Sequence, residues 1–166
     1  MILSAQSIMR LVLASRSGAE PPGLDIYPFA ERTVEHGMSY GLSAAGYDLR
    51  INDGMTLAPG DFRLATTVER IALPVDVMGQ LADKSTWARR GIAVQNTIFE
   101  PGWRGYPTLE ISNHGSEHIY IPSGAPIGQM IFHLLDHPTD RPYAGRYQDQ
   151  KQVPTPAIYA TEENVG

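Results

Sequence analysis

The chain has 166 residues, a formal net charge of −5 and no cysteine. A chain of this length can bury one hydrophobic core, so we expect residues 1–166 to form a single domain. The excess of acidic residues argues against a nucleic-acid-binding surface, which needs clustered Lys and Arg. The lack of cysteine excludes disulfides, thiol nucleophiles and zinc sites built on thiolates, and it favours a reducing, cytoplasmic compartment.

An amphipathic helix is predicted near the N-terminus. Ser4 can cap it, and Ile8, Leu11 and Val12 follow at the spacing of one helix face, with the helix running to about Ser15. The apolar run is a poor match to a secretion signal, and no stretch is long enough to cross a membrane. We therefore expect this helix to pack on the core, and we expect no membrane partner.

Short runs with the two-residue period of β-strands follow, separated by turns that contain Gly and Pro. In one of them Phe62, Leu64, Thr66 and Val68 alternate with polar or small residues. Many short strands between such turns are typical of a β-barrel or a jelly-roll sandwich, so we predict a mainly β fold. The predicted strands lie in residues 43–51, 62–73, 91–97, 107–112, 118–121 and 127–135.

The C-terminal part of the chain changes character from Asp136 onward. It becomes polar and rich in proline, and Tyr143, Tyr147 and Tyr159 are spaced along it. This composition is typical of an arm that covers another part of the molecule. We predict that residues 137–166 form a tail over the functional site.

A carboxylate interrupts the apolar pattern of one predicted strand. Glu110 lies between Leu109 and Ile111, on the same strand face as Thr108 and Ser112. A carboxylate removed from water accepts protons more readily near neutral pH, which suits a general base. A half-exposed strand with its polar side in solvent has the same pattern. The alternation alone leaves both interpretations open.

A second cluster combines cations with hydroxyl groups. Lys84, Ser85 and Thr86 are followed by Arg89, a composition suited to holding phosphate oxygens. A solvated helix N-terminus capped by Ser85 explains the same residues. Both interpretations stay open at this point.

Three further kinds of residue have competing explanations. Trp103 either stacks on a base or fills the core. Asp48 is either a charge near the end of a strand or a distant partner of a bound metal. The five histidines show none of the spacings of zinc-binding motifs, so we predict no zinc and no other metal held by the protein itself.

Several motifs occur in a fixed order over most of the chain. They read SYGLSAAGYDLR, KSTWARRGIAV, FEPGWRG, TLEISN and GRYQDQ. In this order and spacing they resemble the deoxycytidine triphosphate (dCTP) deaminases of the dUTPase-like superfamily. The resemblance implies a distorted β-barrel or jelly-roll subunit and a homotrimer with active sites at the subunit interfaces, each closed by the C-terminal tail.

The resemblance also implies catalytic roles for three residues. Glu110 matches the family's general base and acid, which takes a proton from water and later delivers one to the departing ammonia. Ser85 matches the residue that orients this water, and Arg89 matches the cation beside the glutamate. The implied reaction is the hydrolytic conversion of dCTP to dUTP and ammonia, without zinc, in the synthesis of dTTP precursors.

The triphosphate contacts implied by the resemblance involve both the second cluster and the tail. Mg²⁺ is expected to arrive with the triphosphate, because it prefers phosphate oxygens and water to an all-protein site. The matching residues are Lys84, Thr86, Tyr143, Arg146 and Gln150.

The nucleoside contacts are implied in the same way. Glu100 matches the acidic residue that meets the sugar 3′-hydroxyl, and the backbone of Thr108–Glu110 lies along the cytosine edge. The full set of implied substrate-binding residues is Lys84, Thr86, Trp87, Ala88, Glu100, Trp103, Thr108, Leu109, Tyr143, Arg146 and Gln150.

The tail departs from the family pattern at two positions. Asp149 and Gln152 stand where many relatives have glycine. An added carboxylate and a less flexible backbone are unusual beside a triphosphate, so the number of phosphates on the substrate stays open.

Two other functions stay open as well. The dUTPases share the fold, the AGYDL motif and an acidic residue near Glu100, so pyrophosphohydrolysis, alone or with deamination to give dUMP, is the first alternative. These enzymes usually carry an apolar residue at the position of Glu110, which favours deamination here. The second alternative is a non-catalytic nucleotide-binding regulator, although such a protein has no need for a desolvated proton shuttle.

Overall fold

A computed structural model of the chain describes residues 1–18 and 23–159. In these residues the fold is mainly β, as predicted, and its elements pack around one hydrophobic core. The two helices are α1 (Ala5–Arg16) and α2 (Ser85–Ala88). The strands are β1 (Asp25–Tyr27), β2 (Thr33–Glu35), β3 (Met38–Ser43), β4 (Gly46–Arg50), β5 (Met55–Leu57), β6 (Phe62–Thr66), β7 (Arg70–Ala72), β8 (Val77–Asp83), β9 (Ile92–Val94), β10 (Ile98–Phe99), β11 (Arg104–Gly105), β12 (Thr108–Asn113), β13 (Ile119–Ile121) and β14 (Pro126–Leu134).

Helix α1 begins where the sequence predicts. The Ser4 hydroxyl accepts a hydrogen bond from the backbone N–H of Ser7 at 3.4 Å, which satisfies one of the free donors of the first turn. Ile8 and Val12 are buried, and Leu11 packs against the core from a partly buried position. In the described part of the chain, no helix is long and apolar enough to cross a membrane.

The largest sheet has six antiparallel strands in the order β10-β8-β14-β4-β3-β2. Its longest strand, β14, lies between β8 and β4, and it places Met130 and Phe132 in the core. Three smaller sheets have the orders β1-β7-β11, β6-β12-β9 and β13-β5. Over residues 1–18 and 23–159 these sheets stay separate and do not join into one closed barrel.

Strand β8 was not among the strands predicted from the sequence. Its inward positions are Val77, Gly79 and Leu81, so a glycine interrupts the alternation of apolar side chains. A Cβ atom at Gly79 would lie 2.9 Å from the sulfur of Met130. A larger side chain here would displace Met130 of β14, and the glycine that avoids this contact weakens the alternating pattern that predicts a strand.

The predicted strand at 62–73 is two strands, β6 and β7. The chain bends at Val68 and Glu69 between them, and the Glu69 carboxylate is fully buried against Arg50. Glu69 accepts hydrogen bonds from the Arg50 backbone N–H at 2.9 Å and from its Nε at 2.8 Å. A buried carboxylate needs such a partner, because an unpaired buried charge is strongly destabilising.

Candidate functional site

A cavity of about 670 Å³ lies between the β6–β12 pair, the segment from Thr97 to Trp103 and the C-terminal segment. Most of its wall is apolar, and two carboxylates, Glu100 and Glu110, line it. The lining residues are Phe62, Leu64, Thr97, Ile98, Phe99, Glu100, Trp103, Thr108, Glu110, Tyr143, Tyr147, Gln150, Thr155 and Ala157.

Glu110 reaches this cavity because of the two-residue period of β12. Its neighbours Leu109 and Ile111 are fully buried in the core, whereas Glu110 is half-buried on the opposite face. Within the described residues, its carboxylate has one side-chain hydrogen-bond partner, the Thr97 hydroxyl, which donates to Oε2 at 3.0 Å. Leu64 faces Glu110 across the β6–β12 pair. The result is a carboxylate in a largely apolar wall, with Oε1 not engaged by a described side chain.

An aromatic wall stands beside this carboxylate. The rings of Phe99 and Trp103 meet edge to face, with their centroids 4.7 Å apart. The Trp103 indole N–H donates to the backbone oxygen of Tyr147 at 2.8 Å, and only 3% of the residue is exposed. Trp103 therefore fills the core and also forms part of the cavity wall, and its stacking on a base stays a prediction.

The C-terminal segment runs alongside β11 in the same direction, with a parallel bridge between Gly105 and Gln150. The Asp149 N–H donates to the Arg104 carbonyl at 2.9 Å, and the Tyr106 N–H donates to the Gln150 carbonyl at 3.0 Å. These bonds bring Gln150 into the cavity wall. Residues 160–166 of the predicted tail lie outside the described residues.

Both tail positions that depart from the family pattern contact the body of the protein. The Arg104 guanidinium donates two hydrogen bonds to the Asp149 carboxylate, at 2.7 and 3.0 Å, and these bonds hold the pKa of Asp149 below its usual range. Asp149 has φ +58°, a left-handed conformation that favours glycine and that Asp tolerates better than most residues. Gln152 donates to the Asn52 side-chain oxygen at 3.1 Å.

Helix α2 carries the predicted phosphate-binding cluster. It begins at Ser85 with Lys84 in the N-cap position, so the prediction that Ser85 caps this helix is wrong. Ser85, Thr86, Ala88 and Arg89 are exposed. These side chains do not line the cavity.

Two residues of this cluster are tied to the core. The Trp87 indole N–H donates to the Pro126 carbonyl at 2.7 Å, and the residue is buried. The Lys84 ammonium forms a 2.9 Å ion pair with Asp48, whose other carboxylate oxygen accepts from Gln129 at 3.3 Å. Asp48 is therefore the counter-ion of Lys84, at a position within strand β4.

Comparison with known proteins gives a family. A family model described as dCTP deaminase-like matches residues 48–135. The dCTP deaminase of Acidobacterium capsulatum is 34% identical, and the alignment covers 80% of this chain and 91% of that protein. The dCTP deaminase of Campylobacter fetus is 37% identical over 80% of this chain and 89% of its own length. The chain belongs to the dCTP deaminase family.

Comparison with solved structures identifies the fold of this dCTP deaminase family member. The native dUTPase of EIAV matches with a TM-score of 0.56 and 20% identity, covering 74% of this chain and 98% of that one. A mutant dUTPase of S. aureus phage phi11 matches with a TM-score of 0.56 and 14% identity, over 74% of this chain and 97% of its own. At these identities the likeness establishes the dUTPase-like fold.

The single chain brings together only part of the site that the family resemblance implies. One set lines the cavity, and a second set lies outside it. The first set is Glu100, Trp103, Thr108, Glu110, Tyr143 and Gln150. The second set is Lys84, Ser85, Thr86, Trp87, Ala88, Arg89, Leu109 and Arg146.

Other cavity residues were not predicted to belong to the site. The alternation of Phe62 and Leu64 was recognised as a strand, but the apolar side of this alternation faces the cavity while Ala65 enters the core. No pattern in the sequence predicts a role for Thr97, which lies in the loop between β9 and β10 and contacts Glu110. The further unpredicted lining residues are Ile98, Phe99, Tyr147, Thr155 and Ala157.

The described ranges 1–18 and 23–159 offer no group of three or more His, Asp or Glu side chains that could hold a metal ion. Among these described residues, the only carboxylates in the cavity wall are those of Glu100 and Glu110, which are too few to make such a group. A divalent cation that enters with a triphosphate has the phosphate oxygens as its principal ligands.

Proposed function

We propose that this protein catalyses the hydrolytic deamination of dCTP to dUTP and ammonia, a step in pyrimidine deoxynucleotide metabolism. The observation that carries the proposal is the placement of Glu110, a half-buried carboxylate in the wall of a nucleotide-sized cavity. The dCTP deaminases among its relatives support the substrate.

Glu110 is the general base and then the general acid of this reaction. It takes a proton from water as the water oxygen bonds to the ring carbon that carries the amino group, and it passes this proton to the neighbouring ring nitrogen as the ring C=N double bond opens. It then moves the remaining proton of the added hydroxyl group to the amino group, the C–N bond breaks as the C=O double bond forms, and ammonia leaves. A positioned carboxylate of this kind contributes roughly 10²- to 10⁴-fold to the rate.

Ser85 and Arg89 complete the site from a neighbouring copy in a homotrimer. Both side chains are exposed on or next to α2 and lie outside the cavity of their own subunit. In a cyclic homotrimer the same surface meets a different surface of the next copy, so one subunit's α2 can reach its neighbour's cavity. There Ser85 orients the attacking water, and Arg89 lies beside Glu110.

In this proposal each cavity residue contacts a different part of the nucleotide. Glu100 binds the sugar 3′-hydroxyl, and the backbone of Thr108–Glu110 lies along the cytosine edge. Tyr143 and Gln150 hold the phosphates from the tail, whose residues 137–166 act as a cover. Trp103 forms the wall beside the base.

Five further residues contact the substrate in this proposal from outside the cavity wall. Arg146 of the tail and Thr86 of the neighbour's α2 add contacts to the phosphates, while Trp87 and Ala88 contribute their backbone. Lys84 binds phosphate while its ammonium stays within reach of Asp48, its present partner. Mg²⁺ enters as part of the substrate, bound to the triphosphate.

Pyrophosphohydrolysis is the second candidate, because the solved structures with this fold include dUTPases. Such an activity gives dUMP and pyrophosphate, either alone or after deamination at the same site. A non-catalytic regulator is the third candidate, since Asp149 and Gln152 anchor the tail by contacts of their own.

One incubation tests all three candidates. Purified protein is given dCTP and Mg²⁺, and ammonia, dUTP, dUMP, dCMP and pyrophosphate are followed over time. We expect ammonia and dUTP in equal amounts. Ammonia with dUMP and pyrophosphate means that both reactions occur, pyrophosphate with dCMP and no ammonia assigns a pyrophosphohydrolase, and nucleotide binding without any product assigns a regulator.

A further inference from the structure

Thr97 occupies a fixed position between two strands, although it lies in an irregular segment. The Gln95 N–H donates to the Glu110 carbonyl at 3.0 Å, and the Thr97 N–H donates to the Gln95 carbonyl at 2.9 Å. The Leu81 N–H donates to the Thr97 carbonyl at 3.0 Å. Backbone bonds to both β12 and β8 therefore place the Thr97 Cα relative to Glu110.

The Thr97 side chain uses this position to bind the Glu110 carboxylate. Its hydroxyl lies 3.0 Å from Oε2, and both side chains line the cavity. An ionised carboxylate can only accept, so the hydroxyl is the donor. Thr is branched at Cβ and has few χ1 rotamers, which makes it a stiff support for the group it binds.

We propose that Thr97 is a positioning residue for the deamination reaction. It holds Oε2 by a hydrogen bond, so that Oε1 is the oxygen that takes the proton from water and later delivers a proton to the leaving group. This inference rests on the proposed function, because it concerns how Glu110 carries out that reaction.

The direction of the hydrogen bond explains why one oxygen is selected. A proton on Oε2 would force the Thr97 hydroxyl to give up its donated bond and turn round to accept, whereas a proton on Oε1 leaves that bond unchanged. The bond also restricts rotation of the carboxylate, so the position of Oε1 relative to a bound water molecule varies less. Both effects act on the chemical step and leave nucleotide affinity largely unchanged.

The test compares three substitutions at this position. Thr97→Val keeps the branched shape and removes the donor, Thr97→Ala removes it with a smaller side chain, and Thr97→Ser keeps the hydroxyl. For the two variants without a hydroxyl we expect kcat for ammonia release from dCTP to fall about 10- to 100-fold, the size of a lost hydrogen bond to a charged group. We expect KM for dCTP and the Kd for dUTP to change less than about threefold, and we expect Thr97→Ser to retain most of kcat.

Thr56→Val is the matched control, since Thr56 is an exposed threonine of β5 outside the cavity. Wild-type kcat in Thr97→Val or Thr97→Ala overturns the proposal, and so does an equal loss in Thr97→Ser, which would indicate packing instead of hydrogen bonding. If the wild-type protein releases no ammonia, the proposed function itself fails and the role of Thr97 falls with it. If the wild-type protein releases ammonia but kcat of the Thr97 variants does not follow the expected order, the deaminase assignment is kept and the role of Thr97 is rejected.

Discussion

Glu110 reaches the cavity because of its position on one face of strand β12. The alternation that buries Leu109 and Ile111 turns Glu110 toward the cavity, where Leu64 faces it and Thr97 binds one of its oxygens. The Glu110 side chain is therefore neither fully buried nor fully exposed. A water molecule held in the cavity would meet a carboxylate whose orientation is already restricted.

Replacing Glu110 with glutamine tests its role directly. Glu110→Gln keeps the size and can still accept the Thr97 hydrogen bond through its amide oxygen, but it cannot take a proton from water. We expect ammonia release from dCTP to fall at least about 100-fold, with dUTP binding kept within a few-fold. Stopped-time ammonia assays and calorimetric titration with dUTP measure the two quantities.

The control for this substitution is Glu117→Gln, which changes an exposed glutamate in the turn after β12. It should leave both quantities at the wild-type level. Full ammonia release by Glu110→Gln would remove this residue from the chemistry and would contradict the proposed mechanism.

At the scale of elements, the C-terminal segment depends on β11 for its position. Arg104 holds it through the backbone bond to Asp149 and through the two side-chain hydrogen bonds to the same residue. We expect Asp149→Asn to weaken this attachment while keeping the left-handed backbone, since Asn adopts that conformation readily. Amide hydrogen exchange at Asp149, Gln150 and Tyr106 should become faster in the variant, whereas Asp140→Asn on the same segment should change nothing.

The effect of Asp149→Asn also depends on pH and salt. Arg104 lowers the pKa of Asp149, so the ion pair contributes fully above the ordinary aspartate pKa of about 3.9 and is lost as the pH falls through the lower value in the folded protein. The ratio of the amide exchange rates in the variant and the wild type should therefore be constant from neutral pH down to about pH 4, and it should approach one below that pH. It should also shrink at high ionic strength, because both side chains are half-exposed and salt screens them. A difference that persists in acid would show that the carboxylate does not hold the segment.

Gly105 allows the same segment to approach β11 closely. Its φ of +147° is unfavourable for other residues, and a Cβ there would lie 2.6 Å from the Gln150 backbone nitrogen. We expect Gly105→Ala to push the segment away from β11 and to raise the rate of limited proteolysis between residues 137 and 159 roughly 10-fold or more. Mass spectrometry of the fragments locates the cleavage.

Gly60→Ala separates displacement of the segment from backbone strain. Gly60 has φ +81°, yet nothing lies within 4 Å of a Cβ added there. Both alanine variants should lose stability, by about 1 kcal/mol or more, because both force an unfavourable φ. Only Gly105→Ala should expose the C-terminal segment, and equal proteolysis of the two variants would contradict the role of Gly105.

For the molecule as a whole, periodicity and turn residues predicted much of the fold. Helix α1 begins after Ser4, and each predicted strand range contains or overlaps an observed strand, because local alternation and Gly/Pro turns decide these elements. Strand β8 was missed, since Gly79 takes the place of an apolar side chain against β14. The split at Glu69 was missed as well, because its partner Arg50 is distant in sequence.

Motifs identified candidate residues of the site, whereas contacts made by long-range packing gave no signal in the sequence. The motif residues Glu100 and Glu110 line one cavity, and their roles there stay predictions. The Thr97 bond to Glu110 and the bonds of Asp149 to Arg104 join different parts of the chain and leave no periodic trace. That residues 1–166 form a single domain stays a prediction, as does the trimer.

The proposed trimer predicts a specific activity for mixtures of two inactive variants. Glu110 lines the cavity, and Arg89 lies outside it in the same subunit, so the proposed site takes one residue from each of two copies. Glu110→Gln and Arg89→Gln should each be nearly inactive alone. When equal amounts are refolded together, about one quarter of the sites should combine an intact Glu110 with an intact Arg89 and regain activity.

A second mixture provides the control for this experiment. Arg89→Gln and Ser85→Ala both alter the α2 contribution, so no arrangement of these two chains gives an intact site between subunits, and no activity should return. The mass of each mixture, measured by light scattering, should be that of three chains. If the Glu110→Gln and Arg89→Gln mixture stays as inactive as its components while the trimer mass is retained, then the two residues do not meet across an interface, and Arg89 has no place in the neighbour's site.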